Sequence, residues 1–263
     1  MRGGLLSNPG PDGGEIWRLV EAQHRLSTMK LVDSPSEHDT LEKLLDETKP
    51  PVPDECSHLH WLLFTPFRYD ARRDSRFRRQ GRTPAIFYAA EHIETAVAEM
   101  AFWRLLFFIE SPGTPWPANP LEMTAFSVRV ETATCLDLTR PPYDAQRDEW
   151  RHPTDYTPAH TIADEARAMG CEIIRSLSAR DPDERCNVSV LTCAAFRDRE
   201  PVIERTWHLH LQSSGVSCVC ESPRTALHFG REAFARDPRI MELNWDRWSL
   251  RVWCRVKRRE VEP

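Results

Sequence analysis

An α+β fold is predicted, with a mixed sheet at its core and a helical lead-in at the amino terminus. Helix-like patterns come first, followed mostly by strand-like runs with one or two helices inserted. That order argues against a doubly wound parallel sheet, in which strands and helices alternate throughout. A length of 263 residues suffices for one large domain, and no internal repeat divides it.

The elements follow in order. Residues 1–14 are rich in glycine and proline and are expected to be disordered. Residues 15–57 read as the helical lead-in. A helix over 15–31 is predicted from Ile16, Leu19, Val20 and Leu26, and a second one is signposted by Ser34 as cap, Pro35 in the first position and Glu37 as capping-box partner. Lys49-Pro50-Pro51 stops it. The main domain is expected over 58–240, with a tail over 241–263 that ends in a basic run. Within the domain, 60–67 and 85–89 read as buried strands and 91–108 as a helix. The helix carries an apolar stripe of Ile93, Val97, Met100 and Phe107. A proline-rich loop spans 111–120, strands are predicted over 122–130 and 134–138, and 140–158 is an irregular crossing. A short helix over 160–169 closes at Gly170. Strands follow at 171–174, 187–191 and 206–211.

Composition excludes several classes. Thirty-five Lys and Arg against 40 Asp and Glu leave a net charge of -5, so the protein as a whole is no polyanion binder and its basic residues matter only where they cluster. The eight cysteines show no zinc-like spacing and no CxxC. With no secretory h-region and no apolar run of membrane length, reduced thiols in a cytoplasmic protein are expected. The 21 prolines alternate with apolar segments and imply long ordered loops. There is no P-loop, GxGxxG, HExxH or GxSxG. His208 and His210 share a strand face, but no third metal ligand accompanies them.

Chemistry concentrates between residues 66 and 104. Seven arginines fall between Arg68 and Arg82. They read as a solvated basic face, as a nucleic-acid patch, or as a pyrophosphate grip in which one or two guanidinium forks meet phosphate oxygens. Asp70 and Asp74 interrupt the patch, which weighs against nucleic acid. Arg68 and Arg76 neighbour aromatic residues and are the candidates for held arginines. Glu99 sits mid-helix at the edge of the buried face, with Thr95 and Trp103 four residues away on either side, so no intrahelical salt bridge accounts for it. It wants a tertiary arginine or a substrate. Tyr88 ends the preceding strand, either as a core tyrosine or as a ring for stacking. Ser178, before a turn, means little alone.

In combination, PFRY, SRFR, IFYAAEHIETAVAE, SLSARDP and NVSVL resemble the RES-domain family, the toxins of bacterial toxin–antitoxin pairs named for an arginine, a glutamate and a serine. The likeness covers about 58–200, and the lead-in, TWHLH and REAFARDPRI resemble the family's longer form. The resemblance implies a compact fold akin to ADP-ribosyltransferases that acts on NAD as substrate, with no resident cofactor and no metal. It implies cleavage of the nicotinamide–ribose bond by hydrolysis, or by phosphorolysis with inorganic phosphate as co-substrate. Transfer of ADP-ribose to a protein is the alternative. It also implies a cognate antitoxin that blocks the site, a homo-oligomer or toxin–antitoxin complex, and no membrane or direct nucleic-acid partner. A non-enzymatic interaction module built on the 68–82 cluster is the alternative from another class. Matched by motif, Arg68, Glu99 and Ser178 are the catalytic residues, and Arg76 and Tyr88 bind substrate. Ser176 stands where the family often has an aromatic residue and is the rival to Ser178.

Overall fold

The structure, a computed structural model, describes residues 9–22, 31–81 and 85–246. Its frame is an eight-stranded mixed sheet. The strands are β1 (Gly10–Glu21), β2 (Phe87–Ala90), β3 (Leu121–Asp137), β4 (Ile173–Leu177), β5 (Cys186–Val190), β6 (Ile203–Gln212), β7 (Gly215–Cys220) and β8 (Thr225–Gly230). The order is β1-β2-β5-β4-β3-β6-β7-β8, and β1 also pairs with β3. Five strands therefore close into a ring, from which β6, β7 and β8 extend as a meander. The long β3 makes both possible. Its first half pairs antiparallel with β6, from Leu121↔Leu209 to Ser127↔Ile203. Its end pairs parallel with β4 at Cys135↔Ile173. Where the two partners diverge, the sheet splits.

The helices are α1 (Pro35–Glu47), α2 (Trp61–Arg68), α3 (Ile93–Glu110), the single turn α4 (Arg147–Trp150) and α5 (Thr157–Ala168). Alternation along the strands sorts the core. Trp17, Leu19, Met123, Ala125, Trp207 and Leu209 face α3, together with Val97, Ala101, Phe102 and Leu105 of that helix. Ile16, Phe126, Val128 and Val130 point the other way, toward Leu62 and Leu63 of α2. A third cluster joins α5, through Ile162 and Ala163, to Leu136, Ile174 and Phe77. No helix among the described residues is long and apolar enough to cross a membrane.

Several expectations hold. Ser34 caps α1 by accepting from the Glu37 amide, with Pro35 in the first turn. Gly170 ends α5 at φ 72°, a left-handed conformation that glycine adopts without penalty. The strands predicted at 85–89, 171–174, 187–191 and 206–211 are β2, β4, β5 and β6 within a few residues.

Others are corrected. Where the helix predicted over 15–31 falls on described residues it is instead strand β1, which begins at Gly10 inside the stretch expected to be disordered; residues 23–30, with Leu26, lie outside the described residues. IWRLV suits either period, and β3 decides it by pairing from Gly10↔Cys135 to Glu21↔Met123. A side chain at Gly13 would put its Cβ 2.9 Å from the Val130 carbonyl oxygen, so close pairing there needs glycine. The strand predicted over 60–67 is helix α2, started by His60 Nδ1, which accepts from the Leu62 amide. The strands expected at 122–130 and 134–138 are one continuous β3. The meander strands β7 and β8 had no sequence-based assignment. On α3 the apolar surface runs nearly all round. Phe107 of the expected stripe is exposed, while Ala98, Phe102 and Leu106 are buried. Finally, Cys56 and Cys193 form a disulfide, where free thiols were expected. The basic run at 251–259, and Arg82, lie outside the described residues.

Candidate active site

A cavity of about 270 Å³ opens where the ring meets α3. Its walls come from β1 (Trp17, Arg18, Leu19), the Ser75-Arg76-Phe77 turn, β2 (Tyr88), α3 (Glu99, Met100, Trp103), β4 (Ser176), β5 (Asn187, Ser189), and the loop residues Tyr156 and Arg180.

Glu99 reaches this cavity from the middle of α3. Its Oε1 accepts from Ser178 Oγ at 2.6 Å and from Asn187 Nδ2 at 2.6 Å. No ion pair engages it among the described residues, and its Oε2 makes no hydrogen bond there. Two neutral donors thus anchor one oxygen of a carboxylate that lines the cavity. The direction of the Ser178 proton follows from its neighbours. Ser178 Oγ accepts from the amides of Arg180 and Asp181, each at 3.0 Å. With both lone pairs occupied, its single proton goes to Glu99. Ser178 is itself fully buried and lies behind Glu99 rather than on the cavity wall.

The loop after Ser178 is held from several sides. Arg180 stacks 3.7 Å over the Phe102 ring. Its guanidinium pairs with Asp237 at 2.9 Å and donates to the Pro153 carbonyl at 2.9 Å. Burial lowers the Arg180 pKa, opposed by the nearby Glu99 and Asp237. Arg151 donates to the Ser178 carbonyl at 3.1 Å, and Thr95 Oγ1 donates to Asp181.

Arg76 donates to the Leu177 carbonyl at 3.1 Å. The turn that carries it is fixed by Tyr88, whose hydroxyl contacts Ser75 Oγ at 2.8 Å and accepts from the Phe77 amide at 3.2 Å. Burial raises the Tyr88 pKa above its ordinary value, partly offset by those bonds, so the phenol stays neutral. Arg18 donates to the Tyr88 carbonyl at 2.6 Å, and burial brings its pKa down to about 10. Neither Arg18 nor Arg76 has a carboxylate partner among the described residues. Both also keep a buried Nε without a hydrogen bond. Two unpaired cations beside a cavity suit an anionic ligand.

The structure brings Arg76, Tyr88 and Glu99 onto one cavity with Ser178 bonded behind. It does not bring Arg68 there. Arg68 ends α2 and is not among the cavity's lining residues; it donates to the Pro50 carbonyl and pairs with Asp46 at 3.3 Å. The rest of the arginine cluster is dispersed. Arg73 pairs with Glu110, Arg79 with Asp164, and Arg78 donates to the Tyr69 carbonyl. Sequence reasoning missed Arg18, Asn187, Ser189 and Arg180, and kept Ser176 only as a rival. Some signals were present: Arg18 interrupts the apolar IWRLV, and Asn187 and Ser189 alternate with valines in NVSV. Among the described residues no group of three or more His, Cys, Asp or Glu is placed to hold a metal ion.

A mid-helix carboxylate and two guanidinium groups without carboxylate partners among the described residues thus line one cavity of an α+β chain, a concave setting of the kind in which small molecules bind. Residues 52–212 match the family model described as RES domain. The chain belongs to the RES family. Arg18 and Asp237 fall outside the matched span. No curated protein matches the sequence. Solved structures that match include the crystal structure of the M. tuberculosis MbcT–MbcA toxin–antitoxin complex. The likeness there is 12% identity over 73% of this chain and 85% of that one, with a TM-score of 0.41.

Proposed function

We propose that this chain is the toxin of a toxin–antitoxin pair and destroys NAD by cleaving its nicotinamide–ribose bond. One observation carries the reading: the Glu99 carboxylate lines the cavity and is held through one oxygen by Ser178 and Asn187, while its other oxygen makes no hydrogen bond among the described residues. Membership of the RES family supports the choice of substrate.

The chemistry asks little covalent work of the protein. The C–N bond breaks with its electron pair going to the pyridinium nitrogen, so neutral nicotinamide leaves and positive charge grows on the ribose. Glu99 opposes that charge and accepts a hydrogen bond from a ribose hydroxyl. Its anchored geometry means that no reorganisation is needed as the charge develops. Arg76 and Arg18 hold the diphosphate; Arg18 takes the part that motif matching had given to Arg68. Tyr88 positions Arg76 by fixing its turn and lines the nicotinamide end with its ring. The new C–O bond forms from water or inorganic phosphate, which loses a proton to solvent in the case of water. The antitoxin is expected to cover the cavity mouth, where Trp103 is half exposed.

The test is nicotinamide release from NAD by the purified chain, with and without phosphate, followed by chromatography. Release that requires phosphate identifies a phosphorylase, and ADP-ribose without phosphate identifies a hydrolase. ADP-ribosylated protein identifies the transferase. No release by the wild-type chain, with Glu99→Gln as the matched control, refutes the reading.

A further inference from the structure

The cavity floor carries polar atoms that the fold leaves unsatisfied. Ser176 and Ser189 are each 1% exposed, and their hydroxyls make no hydrogen bond among the described residues. Asn187 spends its amide NH₂ on Glu99 and keeps a buried Oδ1 with no donor. Strand register places the three together. Ser176 lies opposite Asn187 across β4 and β5, and Ser189 follows two residues later on the same face, opposite Tyr88 of β2. All three line the cavity. Buried polar groups are normally paired, and these three on one patch of wall find no partner among the described residues. A ligand that pairs them does account for them.

Their chemistry specifies what that ligand offers. Asn187 Oδ1 can only accept, so it needs a donor, which an amide N–H supplies. The two serine hydroxyls can donate to an oxygen or accept a second N–H. A primary carboxamide presents one oxygen and two N–H groups on one planar unit. A carboxylate presents none of the N–H groups and would bring a second anion beside Glu99. We propose that Ser176, Asn187 and Ser189 form a carboxamide-recognition floor that selects the nicotinamide group against its acid counterpart. The inference rests on the NAD-cleaving reading of the same cavity and adds the part of the substrate that is discriminated. Because Asn187 also holds Glu99, docking of the carboxamide orients the carboxylate that faces the ribose.

Two measurements on the full chain test it: calorimetric binding of nicotinamide and nicotinic acid, and steady-state cleavage of NAD and its nicotinic acid analogue. Nicotinamide is expected to bind at least about tenfold tighter, and the analogue to be cleaved about a hundredfold less efficiently, since a site built around N–H donors leaves its acceptors unpaired on the acid. Ser176→Ala and Ser189→Ala are each expected to raise the KM for NAD by about three- to tenfold. Each should also raise the thermal midpoint of the unliganded chain, because a buried unpaired hydroxyl is removed. A merely structural serine would lower that midpoint. Equal binding of amide and acid overturns the proposal, as does an unchanged amide preference in the double serine variant. NAD cleavage with equal use of the analogue rejects the floor and keeps the cleavage reading. Selective nicotinamide binding without NAD cleavage keeps the floor and rejects the cleavage reading, and no binding with no cleavage rejects both.

Discussion

At the scale of single residues, the site is a problem in hydrogen-bond accounting. Ser178 has one proton and two occupied lone pairs, so its donation to Glu99 is forced by the Arg180 and Asp181 amides. Glu99→Gln keeps the shape but removes the charge proposed to oppose the ribose cation. It should slow nicotinamide release by about 10²–10³-fold with the circular dichroism spectrum unchanged. Arg76→Ala should raise the KM for NAD well above the effect of Arg68→Ala, whose guanidinium is committed to Pro50 and Asp46. Equal effects in steady-state kinetics would return Arg68 to the site. Tyr88 adds a pH signature. Burial raises its pKa above the ordinary 10.0. The folded chain therefore binds that proton more tightly than the unfolded chain. The contribution is complete below about pH 10 and is lost as pH rises through the folded value. The stability difference between wild type and Tyr88→Phe in denaturant titrations should be flat from pH 8 to 10 and narrow above.

At the scale of elements, the misread segments share one cause. β1 and α2 are short apolar runs whose side-chain pattern fits either period, and their partners decide the outcome. β1 has β3 along its length, while α2 caps the opposite face of the ring. The α1 boundary was legible because capping is local: Ser34, Pro35 and Glu37 need no distant partner. The segment after β8 connects to the site through Asp237, which is fully buried between Arg180 and Arg239. Asp237→Ala leaves Arg180 buried beside Phe102 without its counter-charge. A loss of about 3–5 kcal/mol in chemical denaturation is expected, together with weaker NAD turnover as the Ser178 loop loosens. Unchanged stability would show that the pair is dispensable.

At the scale of the whole molecule, the disulfide between Cys56 and Cys193 ties the approach to α2 to the turn after β5, over a separation of 137 residues. A closed loop of that length restricts the unfolded chain, so reduction, or Cys56→Ser, should lower stability by about 2–4 kcal/mol. A thermal midpoint indifferent to reductant would argue against it.

What depends on neighbours in the chain was legible in the amino-acid sequence: the cap and ends of α1, the close of α5 at Gly170, the strands β2, β4, β5 and β6, and the Tyr88–Glu99 spacing that leads from strand to mid-helix. The sequence also carried the RES motifs, and through them Arg76, Tyr88, Glu99 and Ser178. Tertiary structure alone decided which residues share the cavity. Arg18 lies 70 residues from Tyr88 and Asn187 lies 88 from Glu99. Ring closure by β1 and the β4–β5 pairing make those contacts. Arg68 was drawn away by α1 for the same reason. A guanidinium binds whichever acceptors the packed chain presents, and those acceptors are set by the fold, not by sequence proximity.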